Sequence, residues 1–177
     1  MYQRILVPVD GSATSGRGLE EAIRMARQSG GQLRLIHVID ELSMSLSMDA
    51  YSGFAGDWLG LLREGGQQVL QEAQDTVKAA GVPVDSVLLD NFSAPLHEHV
   101  NAEAARWNAD LIVLGTHGRR GVGRALLGSS AEQVLRSASV PVLLLRSPEP
   151  PAAVPEPAEP AHVTVSLPSA ALRVERV

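Results

Sequence analysis

Gly115, Gly118, Gly121, Gly123 and Gly128 are interleaved with Arg119, Arg120 and Arg124, and Gly128-Ser129-Ser130 leads straight into an amphipathic segment. These residue types suit one chemistry, the holding of a phosphate. Glycine lets the backbone approach an anion closely, and the arginine guanidinium matches phosphate oxygens. Ser129 and Ser130 are good helix N-cap types. A helix start presents unpaired N–H groups and a partial positive charge, which favours an anion. The same residues would also suit a glycine-rich turn with solvated arginines. The stretch is not a Walker A loop, which needs G-x4-G-K-[S/T], nor a dinucleotide fingerprint, which follows the first strand of its unit.

The elements that must position this loop are legible from periodicity. Leu111 to Leu114 is a short apolar run suited to a buried parallel strand, and Ser129 to Ser139 is a helix leading through Pro141 to a last strand, Val142 to Leu145. The first strand is Ile5 to Val9, with Pro8 near its end because proline removes a ladder donor. Asp10-Gly11-Ser12 follows as a turn. Asp10 is placed where open α/β sheets bind ligands, and it also suits an Asx turn or a helix cap. A helix from Thr14 to Ser29 stops at Gly30-Gly31, and a strand runs from Gln32 to Ile39. His37, inside that strand, reads as a packed residue rather than a ligand.

Asp40 to Gly60 is long and irregular, with Met44, Leu46, Met48, Tyr51, Phe54 and Trp58 as apolar handles. It suits a segment packed on the domain's flank, or a cover over the ligand end of the sheet. Then come a helix from Leu61 to Ala80, a strand from Val82 to Leu89 and a helix from Ala94 to Trp107. His97 and His99 are two apart, do not share a helix face, and make a poor metal site. Strands alternating with helices predict a parallel sheet with helices on both faces.

Composition sets the outer bounds. A chain of 177 residues favours one domain plus a tail, and 45% apolar content supports a core of Val, Leu, Ile and Ala, since aromatics make up 3%. With no cysteine there is no disulfide, thiol chemistry or Cys-ligated zinc. A formal net charge of -5 argues against general nucleic-acid binding. No run is long enough to span a bilayer and no signal segment is evident, so a cytoplasmic location is expected. Residues 147–160 hold six prolines and three glutamates and read as an extended linker. In the tail, 161–177, His162 to Leu167 (HVTVSL) alternates and suits an added strand.

The spacing Gly115, two residues, Gly118, nine residues, Gly128, Ser129 resembles the nucleotide-binding signature G-x2-G-x9-G-[S/T] of the universal stress protein family. A first strand followed by D-G-S is a second point of resemblance, which extends over Met1 to Arg146, the expected domain. The resemblance implies a doubly wound α/β fold, a five-stranded parallel sheet in the order 3-2-1-4-5. It implies ATP as ligand, with Mg2+ bridging phosphate oxygens because Asp10 alone is no metal site. Base and ribose would meet Pro8, Asp10, Val38 and Gly115; the phosphates would meet Gly118, Gly128, Ser129 and Ser130. Val9 and Thr116 complete the candidate set as neighbours, and Arg119 and Arg124 are added on charge.

The family also implies a homodimer through strand five, Val140 to Leu145, and a regulatory or stress-response role toward a partner protein that the sequence does not identify. Related nucleotidyl transferases carry an H-I-G-H or S-G-G-x-D-S loop after strand one. Here that place is D-G-S-A-T-S-G, so no catalytic residue is assigned and at most slow ATP hydrolysis is expected. A nucleotide-free dimeric interaction module and a nucleotide-processing enzyme stay open as alternatives.

Overall fold

The computed structural model describes residues 2–39, 57–90, 94–116 and 128–146. Their elements are β1 (Arg4–Pro8), α1 (Ala13–Ser29), β2 (Gln32–Val38), α2 (Trp58–Ala79), β3 (Val84–Leu89), α3 (Leu96–Trp107), β4 (Leu111–Gly115), α4 (Ser129–Ser137) and β5 (Val142–Leu145). The five strands form one sheet in the order β3-β2-β1-β4-β5, and every pairing is parallel. The expected architecture and strand order are therefore met.

The apolar runs explain the layering. A strand covered on both faces needs apolar residues at successive positions, and Ile5, Leu6 and Val7 of the central strand are all fully buried. Successive side chains point to opposite faces. Ile5, Val7, Leu33, Leu35 and Val113 pack with Leu19, Ala22 and Ile23 of α1 and with Leu70, Ala73 and Val77 of α2. Leu6, Ile36, Ile112 and Leu114 pack instead with Val100, Ala104 and Trp107 of α3 and with Ala131 and Val134 of α4. Helices α1 and α2 thus cover one face, α3 and α4 the other.

Several element ends differ from the sequence expectation, each for a local reason. Helix α2 starts at Trp58 rather than Leu61, because the Asp57 carboxylate accepts the Gly60 N–H at 2.9 Å and caps the helix ahead of that glycine. Strand β3 starts at Val84 rather than Val82. The Val82 N–H bonds back to the Val77 carbonyl at 3.3 Å, and Pro83 has no N–H to give. Helix α3 starts at Leu96, with Pro95 extended in the capping position, and α4 stops at Ser137 because Ala138 is extended. Pro8 does end β1, as expected.

The amino ends of the strands carry an ionic cluster. Glu103, 4% exposed, accepts from Arg34 Nη1 at 2.8 Å and from Arg106 Nε at 2.8 Å, and Arg34 also pairs with Asp85. The guanidiniums of Arg4 and Arg34 each lie 4.9 Å from the Trp107 ring centroid. The hydrogen bonds that Arg34 donates to Asp85, with that to Glu103 adding to them, hold its guanidinium protonated well above the ordinary arginine range. Among the described residues no helix is long and apolar enough to cross a membrane.

Candidate functional site

The switch in connection geometry falls between β1 and β4. The chain leaves β1 for α1 on one face and leaves β4 for α4 on the other, and such a divergence opens a crevice at the carboxyl ends of the strands. Pro8, Val9 and Asp10 reach this end from β1, Val38 from β2, and Gly115 and Thr116 from β4. Gly128, Ser129 and Ser130 return to it at the start of α4. The structure therefore brings nine of the predicted residues, Pro8 to Asp10, Val38, Gly115, Thr116 and Gly128 to Ser130, to the carboxyl end of the sheet. Gly118, Arg119 and Arg124 lie outside the described residues, as does most of the Asp40 to Gly60 connection.

The β1 side is built by short polar residues. Asp10 Oδ1 accepts the Ser12 N–H at 2.9 Å, an Asx turn, and Gly11 supplies the positive φ of 78° that the turn needs. Ser12 Oγ then caps α1 by accepting the Ser15 N–H at 3.2 Å. Ser15, 7% exposed, accepts the Asp10 N–H on its hydroxyl at 3.2 Å. Behind this turn the His37 imidazole, 3% exposed, bonds the Val9 carbonyl through Nδ1 at 2.7 Å.

The β4 side is held by the backbone. The Thr116 N–H donates to the Leu145 carbonyl at 2.8 Å, and the Thr116 carbonyl accepts the Gly128 N–H at 2.8 Å. That second bond ties the two ends of the glycine-rich loop together at its base. Gly115 carries a further constraint: an added Cβ would stand 2.7 Å from Thr14 Cγ2 and 2.9 Å from the Thr14 carbonyl carbon. The first turn of α1 therefore crosses directly over the end of β4.

At α4 the expectation is corrected. Ser129 and Ser130 are not N-cap residues; Gly128 is, extended at φ -57° and ψ 140°, and no side chain caps the helix. The two serines occupy the first turn and are exposed. Gly128 has no side chain to occupy the helix's N–H groups, which is the arrangement an incoming anion requires. Among the described residues no group of three or more His, Cys, Asp or Glu gathers in metal-binding range.

Ser15 is the residue that sequence reasoning missed at this end; His37 is packed, as expected, and its bond to the Val9 carbonyl is what the sequence did not show. Ser15 was signalled by the run of Ser and Thr after Asp10. The bond from His37 to Val9 follows only from the strand register, which sets Pro8 of β1 opposite Ile36 of β2.

The sequence profile described as the universal stress protein family matches residues 1–146. A universal stress protein of Methanocaldococcus jannaschii is 34% identical over 152 residues, covering 84% of this chain and 85% of its own. Among solved structures, a universal stress protein from Archaeoglobus fulgidus in complex with dAMP superposes with a TM-score of 0.60 at 23% identity, covering 81% of this chain and 98% of its own. Another, in complex with cAMP, superposes at 0.58 and 24% identity, covering 82% and 97%. With this sheet order, this crevice and a profile match over most of its length, the chain belongs to the universal stress protein family.

Proposed function

We propose that the protein is an ATP-binding regulatory module that holds its nucleotide in the β1/β4 crevice. The observation that carries this is the start of α4: Gly128 leaves the first turn without a side-chain cap, beside the ends of β1 and β4. The helix N–H groups and partial positive charge favour the phosphates there. The glycine signature and the dAMP and cAMP complexes of family members support a nucleotide as the ligand. Pro8, Asp10, Val38 and Gly115 would face base and ribose. Asp10 already gives one oxygen to the Ser12 N–H, so a Mg2+ ion would be held mainly by phosphate oxygens. The D-G-S-A-T-S-G turn matches neither the H-I-G-H nor the S-G-G-x-D-S loop of the related nucleotidyl transferases, which favours a ligand that is kept rather than turned over. Among the described residues no further strand pairs with β5, and that edge supports assembly as a homodimer.

Ser130→Asp tests the phosphate position. A carboxylate in the first turn complements the helix dipole and costs no packing at an exposed site, but it opposes a phosphate. Calorimetry should show ATP affinity falling about tenfold or more, roughly 1.4 kcal/mol, while the thermal midpoint stays level or rises. Equal ATP affinity in the variant would remove the phosphates from α4.

A further inference from the structure

The peptide unit between Val9 and Asp10 is clamped from both sides. Its carbonyl accepts from His37 Nδ1 at 2.7 Å, and its N–H donates to Ser15 Oγ at 3.2 Å. Fixing both ends of one peptide plane fixes the N–Cα bond from which the next side chain departs, and the Ser12 N–H on Oδ1 then holds that side chain. That side chain is Asp10. A carbonyl can only accept, so the proton of this hydrogen bond is on His37 Nδ1. The imidazole is 3% exposed. It is also backed by α2: a Cβ on Gly66 would lie 2.9 Å from His37 Cδ2 and 2.8 Å from Leu88 Cδ1, so that helix packs directly against the ring. A strand histidine buried under a glycine of a neighbouring helix, with its nitrogen on the last carbonyl before Asp10, is more than core filling. A leucine would fill the volume and make no such bond.

We propose that His37 is a positioning residue of the nucleotide site, acting through the Val9–Asp10 peptide to aim Asp10 at the ligand. This rests on the proposed placement of the nucleotide in the β1/β4 crevice. Ser15 is the second arm of the same clamp, and Gly66 of α2 keeps the imidazole against it. The carboxylate then stands pre-oriented before ligand arrives, and less ordering is left to be done on binding.

The test is a double-mutant cycle in the full-length chain with ATP as the probe. His37→Leu should weaken ATP binding about tenfold, whereas His37→Asn, whose side-chain amide can offer an N–H near the position of Nδ1, should restore most of it. In an Asp10→Ala background, His37→Leu should change affinity less than about twofold, because its effect runs through Asp10. An equal loss in both backgrounds would make His37 a general packing residue and overturn the proposal, as would unchanged affinity in His37→Leu. Amide exchange at Asp10 gives a readout free of ligand: protection should fall in His37→Leu and return in His37→Asn.

If the wild-type chain binds no ATP, the ligand reading fails on its own, and the Asp10 exchange still decides whether His37 positions that residue. If His37→Leu does not fold, nitrogen NMR of the wild-type imidazole suffices. A protonated Nδ1 coupled to the Val9 carbonyl supports the clamp, and a bare Nδ1 overturns it.

Discussion

Gly115 shows how one residue can answer to a proposed ligand and to packing together. In the signature it stands where a nucleotide would approach the backbone, yet its missing Cβ is also what lets Thr14 cross over the end of β4. The clash includes Thr14 backbone atoms, so no rotamer change relieves it. Gly115→Ala should therefore cost about 1–3 kcal/mol of stability, the usual range for overpacking a filled site. Urea unfolding measures this, and a cost within about 0.5 kcal/mol, the range of a neutral surface change, would show that α1 is not pressed on β4. Lost ATP binding in that variant would say little about contact with the ligand, because α1 itself would have moved. Ser130→Asp separates the two effects, since its side chain is exposed and its charge agrees with the helix. Asp10 likewise has two duties in the proposed reading: its Asx turn leads into α1, and its place after β1 would put it beside the ligand.

At the level of elements, the carboxyl and amino ends of the sheet are built differently. The amino ends of β1, β2 and β3 meet α3 through Arg4, Arg34, Asp85 and Glu103, a cluster that holds no candidate site residue. Glu103→Leu would take from the largely buried Arg34 one of its two carboxylates, whereas Arg106 stays solvated. Removing one partner of a buried pair costs about 3–5 kcal/mol, and the low end applies because Asp85 still holds Arg34. Denaturant unfolding should show that loss, with ATP affinity unchanged in the folded fraction; a loss below about 1 kcal/mol would place the pair among surface bridges.

This cluster was not legible in the sequence. Its members are separated by 51 and 69 positions from Arg34, and no local pattern joins them. The element order was legible, because apolar runs and helical stripes follow from burial on two faces. The helix starts were less so. Gly60 reads as a breaker, yet Asp57 caps the helix ahead of it; Ser129 and Ser130 read as caps, yet Gly128 takes that place. In the first case a side-chain cap three residues upstream outweighs the glycine; in the second the backbone at Gly128 takes the cap position and leaves the serines inside the helix.

On the scale of the whole molecule, the remaining question is what meets β5. The bonds from Ile112 N–H to the Pro141 carbonyl, 3.0 Å, and from Thr116 N–H to the Leu145 carbonyl, 2.8 Å, point the odd-numbered residues of this strand toward β4. By alternation, the N–H and C=O groups of Val142 and Leu144 face away from the sheet. Among the described residues no strand pairs with them. An apolar edge strand with open backbone groups invites a partner, and a second copy meeting it about a two-fold axis would join two sheets. Leu144→Pro deletes an outward N–H and leaves the β4 ladder intact. Sedimentation should then show association weakened about tenfold or more, roughly 1.4 kcal/mol, with ATP affinity within about twofold of the parent. A dimer that survives this change is not joined at β5. The segment His162 to Leu167 lies outside the described residues; its alternating sequence makes it the proposed second occupant of the same junction. Truncation after Arg146 separates the two occupants. ATP binding should persist, because every candidate site residue precedes that point, and the dimer should weaken if the tail adds a strand there. Association unchanged by truncation but abolished by Leu144→Pro would leave the edge to the second copy alone.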